Sequence, residues 1–219
     1  MDGVLAAGTV LSPVVAGLGV GVALASAPGP VQAVLLAESV RGGLARGFRA
    51  LAGANLTFGA LLLCLAFGLS LVAPTGTALG VLQIVGGAFL LWVSSEGFRS
   101  SGEAENDRVT TWRFALPPWA RGALAVVLNP GAWLFLAAVA SPLFASADAH
   151  GGTGGALAVA VVVMAGIATG DGAVVLLGGL GVRRAGERAG QWVRWGLAAL
   201  LAGFGVWLLA TGLIALAHR

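Results

Sequence analysis

The chain has 219 residues, of which 58% are hydrophobic and 10% charged, with a formal net charge of +3 and a mean hydropathy of +0.95. That much apolar surface exceeds what a soluble domain of this length can bury, so the composition places the chain in a bilayer. The chain has no lysine, and all its arginines but Arg219 lie in short segments between apolar runs, a pattern of membrane-flanking loops that excludes a nucleic-acid footprint.

In chain order, six apolar runs span about 10–37, 47–72, 77–94, 120–144, 156–181 and 192–217. Each is near or above the length of about 20 residues that crosses a bilayer as a helix. Breakers separate them: Arg41, Gly42 and Gly43; Pro74, Thr75 and Gly76; a polar stretch from Ser94 to Trp119; Ala147 to Gly155; and Arg183 to Gly190. The N-terminus offers Asp2 and no basic segment before a run too long for a signal-peptide core, so no cleavage is expected. Cys64 is a single cysteine in an apolar run and reads as a small packing residue, with no disulfide partner in the chain.

The first run contains Ser26, Ala27, Pro28, Gly29 and Pro30. Proline lacks an N–H and clashes with a carbonyl one turn back, so this helix is expected to break there and release backbone groups. In hydrocarbon those groups need protein, water or a ligand as partners. A second break is expected in the fourth run at Asn129, Pro130 and Gly131. Two broken helices in one membrane chain match a secondary transporter, where unwound backbone lines the substrate site.

Arg41, Arg46 and Arg49 fall between runs one and two, Arg99, Arg108, Arg113 and Arg121 between three and four, and Arg183, Arg184, Arg188 and Arg194 between five and six. Only Arg219 lies on the other side. By the positive-inside rule the three loops are cytoplasmic and both termini outside, with the arginines on a solvated face. Trp92, Trp112, Trp119, Trp192 and Trp195 gather at the same ends, as interfacial anchors do.

The expected fold is therefore an all-α integral membrane protein of six transmembrane helices, with helices 1 and 4 broken. It forms one membrane domain over 1–219: a first half of about 1–94, a cytoplasmic linker of about 95–119 and a second half of about 120–219. Three helices per half is an odd number, so the halves enter the membrane from opposite sides, the condition for an inverted repeat. Glu96, Glu103, Glu105 and Asp107 mix with arginines in the linker, which reads as solvated connection rather than a regulatory site.

Depth brings three features to one level. At about 1.5 Å per residue, Pro28 lies roughly 15 Å from Glu38, Asn129 roughly 12 Å from Arg121, and Asp171 roughly 18 Å from Arg183. Asp171 is the ionisable side chain well inside a span, and a carboxylate in lipid costs about 2.5 kcal/mol or more, so it should face protein or a water cavity. It is read as a proton-coupling group, against the plainer reading of a carboxyl bonded to broken backbone for architecture. Ser26, Gln32, Asn55 and Asn129 are candidate substrate contacts together with Pro28, Gly29, Pro30, Pro130 and Gly131. For Asn55, Thr57 and Gln83 packing or a helix–helix hydrogen bond is the favoured use. Gly17 and Gly21, Gly43 and Gly47, and Gly166 and Gly170 have the spacing of close helix contacts. His150 and His218 join no cluster with metal-ligand spacing, no nucleophile and base pair stands out, and no cofactor is implied.

Ala27, Pro28, Gly29 and Pro30, followed by Arg41, Gly43, Gly47 and Gly53, resemble the N-terminal signature of the lysine exporter (LysE/RhtB-type) family of amino-acid efflux transporters. Gly86 to Trp92 is similar to its third helix, and Arg121, Gly122, Leu128, Asn129, Pro130, Ala132, Phe135, Pro142 and Phe144 to its fourth. Asp171 resembles an aspartate in the fifth helix of some members. The resemblance implies a six-helix inner-membrane exporter of amino acids or related metabolites, driven by protons or membrane potential. Its partners would be a small-molecule substrate and lipids, with a homo-oligomer compatible and no nucleic acid. Gly131 stands where the family often has lysine, and Thr57 and Phe58 where it often has Gly then Asp, so a basic amino acid is not assumed. The rival classes are a membrane scaffold or assembly protein and a metal-cation exporter, the latter disfavoured because the runs hold no His, a single Cys and one carboxylate.

Overall fold

The computed structural model describes residues 15–25, 29–69, 75–99 and 116–217, and these are almost entirely helical. In order they are α1 (Val15–Ala25), α2 (Pro30–Ala66), α3 (Gly76–Arg99), α4 (Pro118–Val127), α5 (Pro130–Phe135), a π turn (Leu136–Ala140) and α6 (Ser141–Ala217). Helix is the form that satisfies every backbone group within its own segment, which an apolar surround demands. Among the described residues four stretches are long and apolar enough to cross a membrane: Pro30–Ala66, Gly76–Ser95, Pro130–Gly181 and Gln191–Ala217.

Two of these are too long to be straight. α2 turns at Gly42 and Gly43, where Gly43 takes φ 74°, a conformation that costs a residue with Cβ and costs glycine little. Beyond the turn the chain runs back on itself, since Gly47 packs on Ser39 and Val175. Residues eight apart would lie about 12 Å from one another along a straight helix. α6 repeats the device at Gly152, φ 58°, after which Gly155 packs against the Ala147 carbonyl. A further reversal lies between Gly178, which touches Leu36 and Ser39, and Ala198, which shares a small cavity with Ala37 and Val40. The expected breakers at Arg41–Gly43, Ala147–Gly155 and Arg183–Gly190 thus mark changes of direction. The fourth run differs from expectation, continuing as helix past Phe144 to the Gly152 turn. Of the expected linker, α3 takes the start as far as Arg99 and α4 the end from Pro118, while 100–115 lie outside the described residues.

Packing runs on small residues. Gly17 and Gly21 of α1 meet Val159, Val163 and Gly166, and Gly170 sits on Ala25, so these two expected contact faces join one another. Gly43 departs from expectation: it has nothing within 4 Å and serves the turn. Between α3 and α6, Gly80 faces Gly212 and Gly87 faces Gly205, each glycine so close that a Cβ would press on the other's carbonyl. Gly53 and Gly122 do the same between α2 and α4, against Trp119 and Ala50. Such approach gives van der Waals contact in a solvent as apolar as the side chains themselves. The shared core holds Val34, Leu35, Leu62, Val126, Leu136, Val159, Val163 and Ile167, whereas Leu56, Val161, Leu177, Trp207 and Leu213 point outward. An outer surface so apolar faces lipid.

Candidate functional site

The chain leaves α1 at Ala25 and enters α2 at Pro30, with Gly29 extended (φ −162°, ψ −178°) as the residue before the helix. Pro30 suits that place, because the first helical N–H has no helical partner in any case. Ser26 and Pro28 lie outside the described residues. Gly170 on Ala25 fixes Asp171 beside this break. Asp171 is 1% exposed. Gln32, two residues into α2, donates its side-chain N–H to Asp171 Oδ1 at 3.3 Å. Asp171 Oδ2 is buried with no hydrogen-bond partner among the described residues. A carboxyl with one oxygen held and the other bare, in a low-dielectric interior next to interrupted backbone, can accept a proton or a cationic group there.

The second expected break is also present, and it is differently placed. α4 ends at Val127, and Asn129 caps α5 by accepting from the Gly131 N–H at 3.0 Å. Trp133 Nε1 donates to the Val127 carbonyl at 2.8 Å. The groups freed by the break are therefore taken up locally, and Gly131 lies exposed on the described surface while Pro130 is buried. α5 packs with α3 and α4, and no hydrogen bond among the described residues links Asn129 to Asp171 or Gln32. Gln32 and Asp171 come together at the first break, while Pro28, which was expected at one depth with Asn129 and Asp171, lies outside the described residues. The depth estimate carried no information about which way each break faces.

Among the described residues Asn55 Oδ1 and Gln83 Oε1 are buried without hydrogen-bond partners, so of the two expected uses these carbonyls are not bonded across helices. Thr57 donates to the Gly53 carbonyl of its own helix at 2.9 Å, satisfying itself without a second helix.

A charged cluster at the arginine-bearing end was missed. Glu38 is 0% exposed and Arg121 1%. Arg121 Nη1 donates to Glu38 Oε1 at 3.1 Å, its Nε donates to the Leu116 carbonyl at 3.0 Å, and its guanidinium lies 4.9 Å from the Trp92 ring centre. Arg46 Nε donates to Glu38 Oε2 at 2.6 Å, and Arg41 stands 3.8 Å from Oε1. This corrects the solvated face expected for these arginines: Arg121 and Glu38 are interior groups, and Trp92 is a stacking partner as well as an end marker. A signal was there. Glu38 is the lone acidic residue between Asp2 and Glu96 and has arginines three and eight residues on, a spacing that a Gly-Gly turn brings together. Trp119 and Trp192 are exposed as interfacial anchors should be, Trp195 packs edge-on against Trp192 at 5.6 Å, and Trp112 lies outside the described residues.

A bundle of lipid-facing helices with an interrupted helix against a buried carboxyl defines a multi-pass membrane protein of the transporter class. Residues 22–212 match the LysE type translocator family, and the chain belongs to that family. Neither curated proteins nor solved structures gave a match. Members of the family are transporters rather than enzymes, and membership implies efflux of amino acids or other small solutes.

Proposed function

We propose that the protein is a secondary active exporter of an amino acid or amino-acid-like solute, coupled to protons through Asp171. The solute binds where the break between α1 and α2 meets α6, with Ser26, Pro28, Gly29, Pro30 and Gln32 around it. Freed backbone amides receive its carboxylate and freed carbonyls its ammonium group. Asn55 and the break at Asn129, Pro130 and Gly131 belong to the second half of the pathway, the latter as a flexing point that matches the first break. The chain crosses the inner membrane six times as two inverted halves, with the arginine-rich ends cytoplasmic and both termini outside.

The observation that carries this reading is the bare Oδ2 of Asp171 beside the interrupted helix, in a chain of the translocator family. A buried ionisable group in a membrane span marks an ion or proton path by default. Counterflow of labelled amino acids into proteoliposomes tests it. Accumulation of at least one amino acid against its gradient is expected, and absence of counterflow across a full amino-acid panel overturns the solute assignment.

A further inference from the structure

Glu38 and Arg121 lie 83 residues apart in sequence and join the first arm of α2 to the start of α4. Arg46 brings in the second arm of α2 and Trp92, under the Arg121 guanidinium, brings in α3, so Glu38 and Arg121 together tie four segments at one end of the bundle. The tie lies between Asp171 and the arginine-bearing surface. Glu38 is six residues beyond Gln32 in the same arm, about 9 Å along the helix axis. On the α6 side, Val175 packs on Gly47, and Gly178 packs on Leu36 and Ser39, forming the layer that shuts Asp171 off from that end. In the turn beside the tie, a Cβ at Gly43 would meet nothing within 4 Å, while Gly42 packs on the Arg46 side chain.

Buried ion pairs are a poor means of static stability, since apolar side chains of like volume fill the same space as well or better. Their distinct property is that the groups can part and hydrate, giving a contact with two discrete states. We propose that the Glu38–Arg121 pair is a gate: it closes the arginine-rich end of the pathway in this conformation and parts when Asp171 is exposed to that side. The gate rests on the transport reading for its purpose, while its geometry is independent of the solute.

The test uses full-length protein with Cys64→Ser and a reporter thiol at Ser39→Cys, a buried position in the closing layer. After reconstitution, a membrane-impermeant maleimide is added to one side at a time. With Glu38 and Arg121 intact the thiol should react slowly. Adding Glu38→Gln should speed labelling from the arginine-rich side by about tenfold or more, the signature of a shifted two-state population, with no change from the other side. Arg121→Lys keeps the charge and loses the planar fork, so it should give a smaller increase in the same direction. Monodisperse elution and a cooperative melting transition above the assay temperature identify folded variants. Parent-rate labelling in folded Glu38→Gln and Arg121→Lys overturns the gate, as does faster labelling from both sides or loss of folding in both variants. Sided labelling without any amino-acid counterflow leaves the gate standing and removes the solute assignment.

Discussion

Gln32 and Asp171, 139 positions apart, meet through one hydrogen bond of 3.3 Å, and the carboxyl oxygen that Gln32 does not hold has no partner. A proton-coupled cycle needs one group that changes charge, the role proposed for the carboxyl buried beside the first break. Asp171→Asn preserves shape and hydrogen bonding and cannot titrate. It should lose pH-gradient-driven accumulation while keeping solute exchange, which moves no net proton. Paired assays on one reconstituted preparation decide it: normal driven transport by the variant ends the coupling role, and equal loss of both activities in a folded protein assigns Asp171 to architecture.

The α3–α6 seam should be sensitive to single atoms. A Cβ at Gly87 would meet the Gly205 carbonyl and Leu209, whereas one at Gly196 would meet nothing within 4 Å. Gly87→Val should therefore destabilise the fold by about 1–3 kcal/mol, the usual range for overpacking a close-packed site. Gly196→Ala should be neutral or slightly stabilising through helix propensity. Thermal unfolding in detergent, compared across the two variants and the parent, reads the difference directly; equal midpoints for Gly87→Val and the parent would show that the seam can spread at no cost.

The helices and their breaks were legible because apolar length, proline and glycine act locally. Pro30 at the start of α2 and Asn129 capping α5 each stand where the residue type alone dictates. The glycine pairs were half legible: spacing marked Gly17, Gly21, Gly166 and Gly170 as contact positions, and only the folded chain shows that they contact each other. Gln32 and Asp171 were each visible as polar residues in apolar runs. The direction of the second break was not, since nothing local distinguishes an inward from an outward face when both are apolar. The Glu38 cluster escaped because arginine was counted as a loop marker, and burial of Arg121 is decided by Trp92 and Glu38, 29 and 83 residues before it.

The second break should matter through its cap. Asn129→Ala removes the acceptor of the Gly131 N–H and should lower stability by about 1 kcal/mol, as losing a helix N-cap does. Pro130→Ala restores a backbone N–H and lets α4 and α5 approach one continuous helix, so transport should fall in a protein that remains folded and inserted. Should both Pro130→Ala and Pro28→Ala transport normally, neither break serves the solute pathway.

The arginine distribution predicts an orientation that fusion reporters can check. An enzyme active only after export, joined after Arg219, should be active, and a reporter that works only in the cytoplasm should be silent there. The opposite pattern would reverse the sidedness of the whole bundle, including the end at which Glu38 and Arg121 meet.

That charged contact should also show the energetics of a buried pair whose partners depend on one another. Arg121→Leu leaves Glu38 uncovered on the side where both were fully enclosed and should destabilise the fold by about 3–5 kcal/mol, the usual result of removing one partner of a buried pair. Glu38→Leu strips the carboxylate from Arg121 and should cost a similar amount. In that variant Arg46, whose side chain is 34% exposed, can turn toward water, while Arg121 keeps its bond to the Leu116 carbonyl. The double variant leaves neither charge stranded, so its loss should be well below the sum of the two single losses. A coupling of about 1–3 kcal/mol from this cycle, measured by reversible unfolding in mixed micelles, is the expected outcome for groups in direct contact. Simple additivity would mean that Glu38 and Arg121 stabilise the bundle through separate neighbours, with Trp92 and the Leu116 carbonyl holding Arg121 whether or not the carboxylate is there.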